Sequence, residues 1–279
     1  MNFIQQRLQQ YGALSQEGEE MAINEITQEV MLYALSMSGF FSVAAFVGGT
    51  ALRILHGLDR FSEDLDFSLL QPDPAFSLDS FIKNAAVRME TYGYKLEFSA
   101  SEGDPGVQRR FVRDSALKRM LALQYTKDLR KKIRIKIKVD TNPPHGAESE
   151  MEYHIFPQDF SLRIHTMESL FAGKLHALLC RPFIKGRDWY DFGWYVRRGS
   201  GANGTLLKNA LHQFGPWRGE SLDITTEWIT QRLSERIMEH DWDAVRKDVS
   251  PLLTPEQRST LEIWSAPLFL KKAQLVRLV

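Results

Sequence analysis

The 279-residue chain is expected to fold as an α/β (α+β) protein, with a mixed sheet flanked by helices in front and a helical domain behind. Three observations predict this. Residues 41–69 read as strand, Gly-rich turn, short helix and second strand. Ile133, Ile135, Ile137 and Val139 alternate with Lys132, Arg134, Lys136 and Lys138, the period of a half-buried strand. Beyond Gly199-Ser200-Gly201-Ala202-Asn203-Gly204, a flexible composition, strand signals are few. The expected boundaries are 1–198 for the front domain and 205–279 for the helical one.

The elements follow in order. A helix over Asn24–Met37 carries Ile26, Val30, Leu32, Tyr33 and Leu35 and leads into the apolar run Phe41–Val47, a buried strand. Gly48 and Gly49 can take backbone angles closed to other residues and leave room for a ligand. Thr50 adds a hydroxyl, and the helix Ala51–His56 presents unpaired N–H donors suited to an anion. On the next strand, alternation places Asp64 and Asp66 on one face with Ser62 and Ser68, and Leu65, Phe67 and Leu69 on the other. Two neighbouring carboxylates repel unless a cation sits between them, and hard oxygen ligands suit Mg²⁺ carrying substrate phosphates. Singly, Asp-x-Asp and Gly-Gly-Thr also occur as an exposed strand face and an ordinary loop, so their order and spacing carry the reading.

Asp140 ends the alternating strand on its polar face, before Thr141-Asn142-Pro143-Pro144. It suits a third metal ligand or a cap of the strand-to-turn transition. Thr166 reads as the N-cap of a helix with Leu170, Phe171, Leu175 and Leu178 as its apolar face, bringing Lys174, Leu178 and Arg181 near one another. Gly173 inside that helix costs on the order of 1 kcal/mol relative to Ala, which predicts a close packing neighbour. From Arg187 to Arg197 a further helix sets Asp188 and Asp191 on one face among aromatic residues, with an Arg187–Asp191 helix pair as the plainer alternative. Helices are expected near Thr205–Phe214, Thr225–His240, Trp242–Val249 and Pro255–Val279, and Trp228, Ile229, Leu233, Ile237 and Met238 form a core stripe.

The blocks Val47-Gly48-Gly49-Thr50-Ala51-Leu52 and Arg60-Phe61-Ser62-Glu63-Asp64-Leu65-Asp66-Phe67 resemble the nucleotidyltransferase signature of the AbiEii/AbiGii-type toxins. Those toxins belong to bacterial toxin–antitoxin and phage-defence systems, within the DNA polymerase β-like superfamily. Downstream, Lys174-Leu175-His176-Ala177 through Arg181, followed by Arg187-Asp188-Trp189-Tyr190-Asp191, resembles that family's Lys-x-x-Ala-x-x-x-Arg helix and Arg-Asp-x-x-Asp. The resemblance spans about Phe41 to Tyr195 and implies a nucleotidyltransferase-type mixed sheet with a C-terminal helical domain. It implies Asp64, Asp66 and Asp140 as ligands of two Mg²⁺ ions. Gly48, Gly49, Thr50 and Arg181 would bind the NTP, Lys174 would act on its phosphates, and Asp191 would orient Lys174 or a phosphate-binding Arg. A tRNA 3′ end is the implied acceptor and a cognate antitoxin protein the implied partner. A protein or small-molecule acceptor, and a nucleotide-binding module without catalysis, are the competing function classes.

The net charge of zero is a cancellation. Met1–Pro105 holds 6 Lys/Arg against 15 Asp/Glu, Gly106–Asp140 holds 12 against 3, and Thr141–Val279 holds 17 against 17. The basic block suits phosphates or is a solvated face, and beside a polymerase-like site it makes Lys132, Arg134, Lys136 and Lys138 candidate RNA contacts. One cysteine, Cys180, excludes a disulfide framework and fits a reducing cytosol. The seven histidines show no zinc-ligand spacing, and neither a signal segment nor a membrane-spanning run is present. A cytoplasmic protein is expected.

Overall fold

The computed structural model describes residues 3–101 and 106–279. It divides into two compact units: Met1–Gly57, Phe61–Pro143 and Met151–Ile164 in the first, and Leu58–Arg60, Pro144–Glu150 and His165–Val279 in the second.

In the first unit α1 (Phe3–Gln10) and α2 (Gln16–Met37) precede a 3₁₀ turn, Phe40–Ser42, and β1 (Ala44–Val47). The chain continues through α3 (Gly48–His56), β2 (Asp64–Leu69), α4 (Asp79–Glu90), β3 (Leu96–Ser101), β4 (Val107–Asp114), α5 (Leu117–Met120) and β5 (Ile133–Asp140). β6 (Ser149–His154) and β7 (Phe160–His165) complete a mixed seven-stranded sheet of order β3-β4-β5-β2-β1-β7-β6. The centre is set by β2, antiparallel to β1 and parallel to β5, with β4 antiparallel to β5 and β3 to β4. Helix α2 starts earlier than apolar spacing predicts, because Ser15 caps it by accepting from the Gly18 N–H at 3.1 Å. Its first turns bury a carboxylate, not an apolar side chain: Glu19 accepts from the N–H groups of Gln124, Tyr125 and Thr126 at 2.7, 3.1 and 2.6 Å. Strand β1 is shorter than expected, since Phe40 and Phe41 sit in the 3₁₀ turn, still buried.

The second unit is helical. Thr166 caps α6 (Met167–Cys180) by accepting from Ser169 N–H at 3.4 Å; α7 (Gly186–Arg197), α8 (Gly204–Gln213), α9 (Thr226–Glu239) and α10 (Trp242–Val249) follow. The long final helix expected from Pro255 is instead α11 (Pro255–Ser259), a 3₁₀ turn (Thr260–Ile263) and α12 (Ala266–Ala273). Pro267 explains the break, since it has no N–H for an interior helix bond and fits only a first turn. Trp189 centres an aromatic core, its ring 5.5 Å from those of Trp242 and Phe269. Of the α9 stripe, Ile229, Leu233 and Ile237 are buried whereas Met238 is 67% exposed, so it does not join the core. The Gly-rich segment 199–204 lies inside this unit. Ala202 donates to Arg277 O at 2.8 Å and accepts from Val279 N–H at 2.9 Å, and Asn203 caps α8. Among the described residues no helix is long and apolar enough to cross a membrane.

Candidate active site

In the first unit the turn between β1 and α3 and the start of β2 lie together, because Val47 is the register partner of Asp66. Gly48 has φ +80°, and a Cβ there would stand 3.0 Å from Asp66 Oδ2 and 3.2 Å from Asp66 Cβ. Both its backbone angle and the approach of Asp66 require glycine. Since α3 begins at Gly48, residues 48–50 supply the first N–H groups of a nine-residue helix, which have no partner within the helix. Thr50 differs from expectation. It is 1% exposed, its hydroxyl donates to the main-chain carbonyl of Asp64 and lies 2.9 Å from Ser62 Oγ. That hydroxyl pins the turn to β2, so only the backbone N–H of Thr50 remains to offer an anion.

Asp64 and Asp66 share one face of β2 and converge on a single cation, the Lys138 ammonium of β5. Lys138 Nζ lies 3.1 Å from Asp66 Oδ1 and also donates to Asp64 Oδ2. The register explains the meeting, since Asp66 pairs with Lys138 and Asp64 with Lys136. Burial alone would lower the Lys138 pKa, but the attraction of Asp66 and Asp64 outweighs it and the group is held above its ordinary value. Two carboxylates aimed at one position are a donor set that suits Mg²⁺, which commonly takes one or two carboxylates and completes its shell with water and phosphate oxygens.

Asp140 lies further along the same face, where it pairs with Ser68, two residues or about 7 Å along the strand from Lys138. Its Oδ1 accepts from the Asn142 N–H at 2.9 Å, the turn-capping contact, and burial raises its pKa. The three aspartates do not come together as one cluster. Among the described residues no group of three or more His, Cys, Asp or Glu side chains is placed to hold a metal ion.

The four basic residues expected on β5 divide by their partners. Lys132 is paired with Glu97 at 2.6 Å and Lys138 with the aspartates. Arg134 lies with its guanidinium carbon 4.0 Å from the centre of the Phe111 ring, and Lys136 Nζ is 5.6 Å from the same ring.

In the second unit Lys174, Asp188, Asp191, Arg181 and Arg60 form one network. Lys174 Nζ lies 2.6 Å from Asp188 Oδ1 and 2.7 Å from Asp191 Oδ2, and Arg181 Nη1 donates to Asp188 Oδ2. Arg60 closes the network as a two-pronged partner of Asp191, at 2.6 and 2.7 Å. Burial would raise the Asp188 pKa, but Lys174 and Arg181 bring it down to about 2. Three cations face two carboxylates in this network. Arg60 opens the second signature block but carries no expected role; it stands in an irregular stretch before β2, yet it is 1% exposed and among the largest wholly buried side chains.

Residues 30–269 match the model of a family described as nucleotidyl transferase AbiEii toxin, type IV TA system. The chain belongs to the AbiEii nucleotidyl transferase toxin family. As a member it is a nucleotidyltransferase-family toxin of a type IV toxin–antitoxin system, and the family implies an antitoxin partner. Among solved structures it is similar to MenT4, a nucleotidyltransferase toxin from Mycobacterium tuberculosis H37Rv, with 18% identity, 96% of this chain and 97% of that chain covered, and a TM-score of 0.52. That likeness is one of fold. A Helicobacter pylori structure named as a nucleotidyltransferase aligns at 19% identity over 89% of this chain and 95% of its own, with a TM-score of 0.47. JHP933, also from Helicobacter pylori, aligns at 18% identity over 90% and 89%, with the same score. The search of curated proteins returned no match.

Proposed function

We propose that this AbiEii-family protein transfers a nucleoside monophosphate from an NTP to the 3′ end of a cytoplasmic RNA, a tRNA by resemblance, and that this transfer is its toxic activity. The observation that carries the reading is the convergence of Asp64 and Asp66 on one cation position beside the helix N-terminus at Gly48. Asp64 and Asp66 would hold Mg²⁺, and the resemblance adds Asp140, about 7 Å further along the same face, towards a second ion. Bound there, the metal would supply charge neutralisation at the phosphates and lower the pKa of the attacking hydroxyl. The N–H groups of Gly48, Gly49 and Thr50 hold the β- and γ-phosphates. The acceptor oxygen forms a new bond to the α-phosphorus while the α–β bridging bond breaks. Pyrophosphate leaves with the bonding pair and the hydroxyl proton passes to water.

Incubating the purified protein with total RNA, Mg²⁺ and each labelled NTP in turn, beside Asp64→Ala, tests the reading. Label in a tRNA-sized band only with the unmutated protein is the expected result. Label in protein or in a small molecule, or equal labelling by Asp64→Ala, would overturn the acceptor or the metal assignment respectively.

A further inference from the structure

We infer that Phe111, with the Arg134 guanidinium lying against it, is a stacking platform for the base at the 3′ end of a single-stranded polynucleotide acceptor. The inference rests on the proposed transfer reaction and gives its acceptor a seat. It starts from strand register. Phe111 pairs with Lys136 on β5, and Lys136 pairs with Asp64 on β2, so Phe111 and Asp64 occupy one row of the sheet, two strands apart. Two strand spacings set their backbones about 10 Å apart, a span that a terminal nucleotide and its neighbour can cover.

The face is built for a phosphate chain. β4 places Arg109 and Arg113 on either side of Phe111, opposite Lys138 and Arg134. Arg134 is exposed and Lys136 and Phe111 are half-buried, whereas the other face of β5, Ile133 to Val139 by alternate residues, is core. Phe111 therefore stands on the polar face, where packing gives no reason for an aromatic ring; the apolar neighbour Val112, 2% exposed, fills the core side. The Arg134 guanidinium lies over one face of the ring, 4.0 Å from its centre, and presents its own outer plane as the stacking surface. Bases stack on aromatic rings and guanidinium planes whatever their identity, while flanking arginines take the phosphates. A protein partner would instead be met by apolar contact area, which this row lacks.

The test is fluorescence anisotropy with the full chain and a 5′-labelled oligoribonucleotide whose 3′-terminal nucleotide is either intact or abasic, without NTP. The unmutated protein should bind the intact strand about tenfold more tightly than the abasic one. Phe111→Leu should bind both equally, Phe111→Tyr should keep the preference, and Arg134→Gln, an exposed change with no folding cost expected, should shrink it. A deoxyribose strand showing the same preference would mean a seat for single strands in general, and its absence a seat for RNA; both support the platform. If the unmutated protein ignored the terminal base, or Phe111→Leu and Arg134→Gln kept the preference, the platform would be wrong. Labelled transfer to RNA without any base preference sinks this inference alone. A base preference without transfer sinks the proposed reaction and leaves the platform standing.

Discussion

Asp191 is fully buried and both its oxygens are committed, one to Arg60 and the other to Arg60 and Lys174. Removing one partner of such a buried ion pair is strongly destabilising, at a cost of about 3–5 kcal/mol. Asp191→Ala should therefore lower stability by that amount in urea unfolding, and Asp191→Asn by less, because an amide oxygen can still accept from Arg60. Asp66 contrasts with it. Its side chain is about one-third exposed, and in Asp66→Ala the Lys138 ammonium keeps Asp64 as partner. The two aspartates are thus not simply repelling one another, as the sequence alone suggested, but are already held by a lysine. A lost activity in Asp66→Ala with an unchanged unfolding midpoint speaks for chemistry, whereas in Asp191→Ala the same loss can come from unfolding. Equal midpoints for Asp191→Ala and the unmutated protein would refute the structural role.

At the scale of elements, α6 holds an avoidable weakness. Gly173 was expected to mark close packing, but it is exposed, and a Cβ there would meet nothing within 4 Å. Gly173→Ala should raise stability by up to about 1 kcal/mol, since only the entropy of an unstrained helical glycine is removed. A thermal shift upward checks it; a drop would mean that an unseen neighbour needs the space. Elements whose signals are local were legible in the sequence. The alternation of β5 gave its ends, Thr166 and Trp242 gave helix starts, and Asp64 and Asp66 share the face that period two predicts. What depends on distant partners was not. Nothing near Lys138 in sequence announces that parallel pairing with β2 brings it to Asp66, so from sequence it groups with the other basic residues of its strand. Arg60 lies 131 residues from Asp191, and the Gly-rich segment 199–204 looks like a linker until the chain end pairs with Ala202. Glu19 was invisible for the same reason, because a carboxylate buried by capping a remote loop breaks the apolar period that marks a helix.

Across the whole molecule, the buried imidazoles and Asp188 share one sign of response to acid, whereas Asp140, raised by burial, has the opposite one. Burial brings the His165 imidazole down from 6.5 to about 4, and burial also lowers His176 and His240. In the window between pH 6.5 and 4 the unfolded chain binds a proton at His165 that the native protein refuses, so stability falls as pH drops through it. A shift of this size corresponds to on the order of 3 kcal/mol for His165. Asp188 adds a second stage. Its folded pKa of about 2 lies below the ordinary 3.8, so the stability it contributes is fully present above about pH 4 and disappears as pH falls towards 2. Unfolding free energies measured from pH 8 to 2 should therefore decline in two steps, the first beginning near pH 6.5. His165→Gln should flatten the first step and leave the second, whereas Asp188→Asn should remove the second and lower the plateau, because Lys174 and Arg181 lose a charged partner. A flat profile between pH 7 and 5 in the unmutated protein would show that His165 reaches solvent and that the second unit opens more readily than its packing implies.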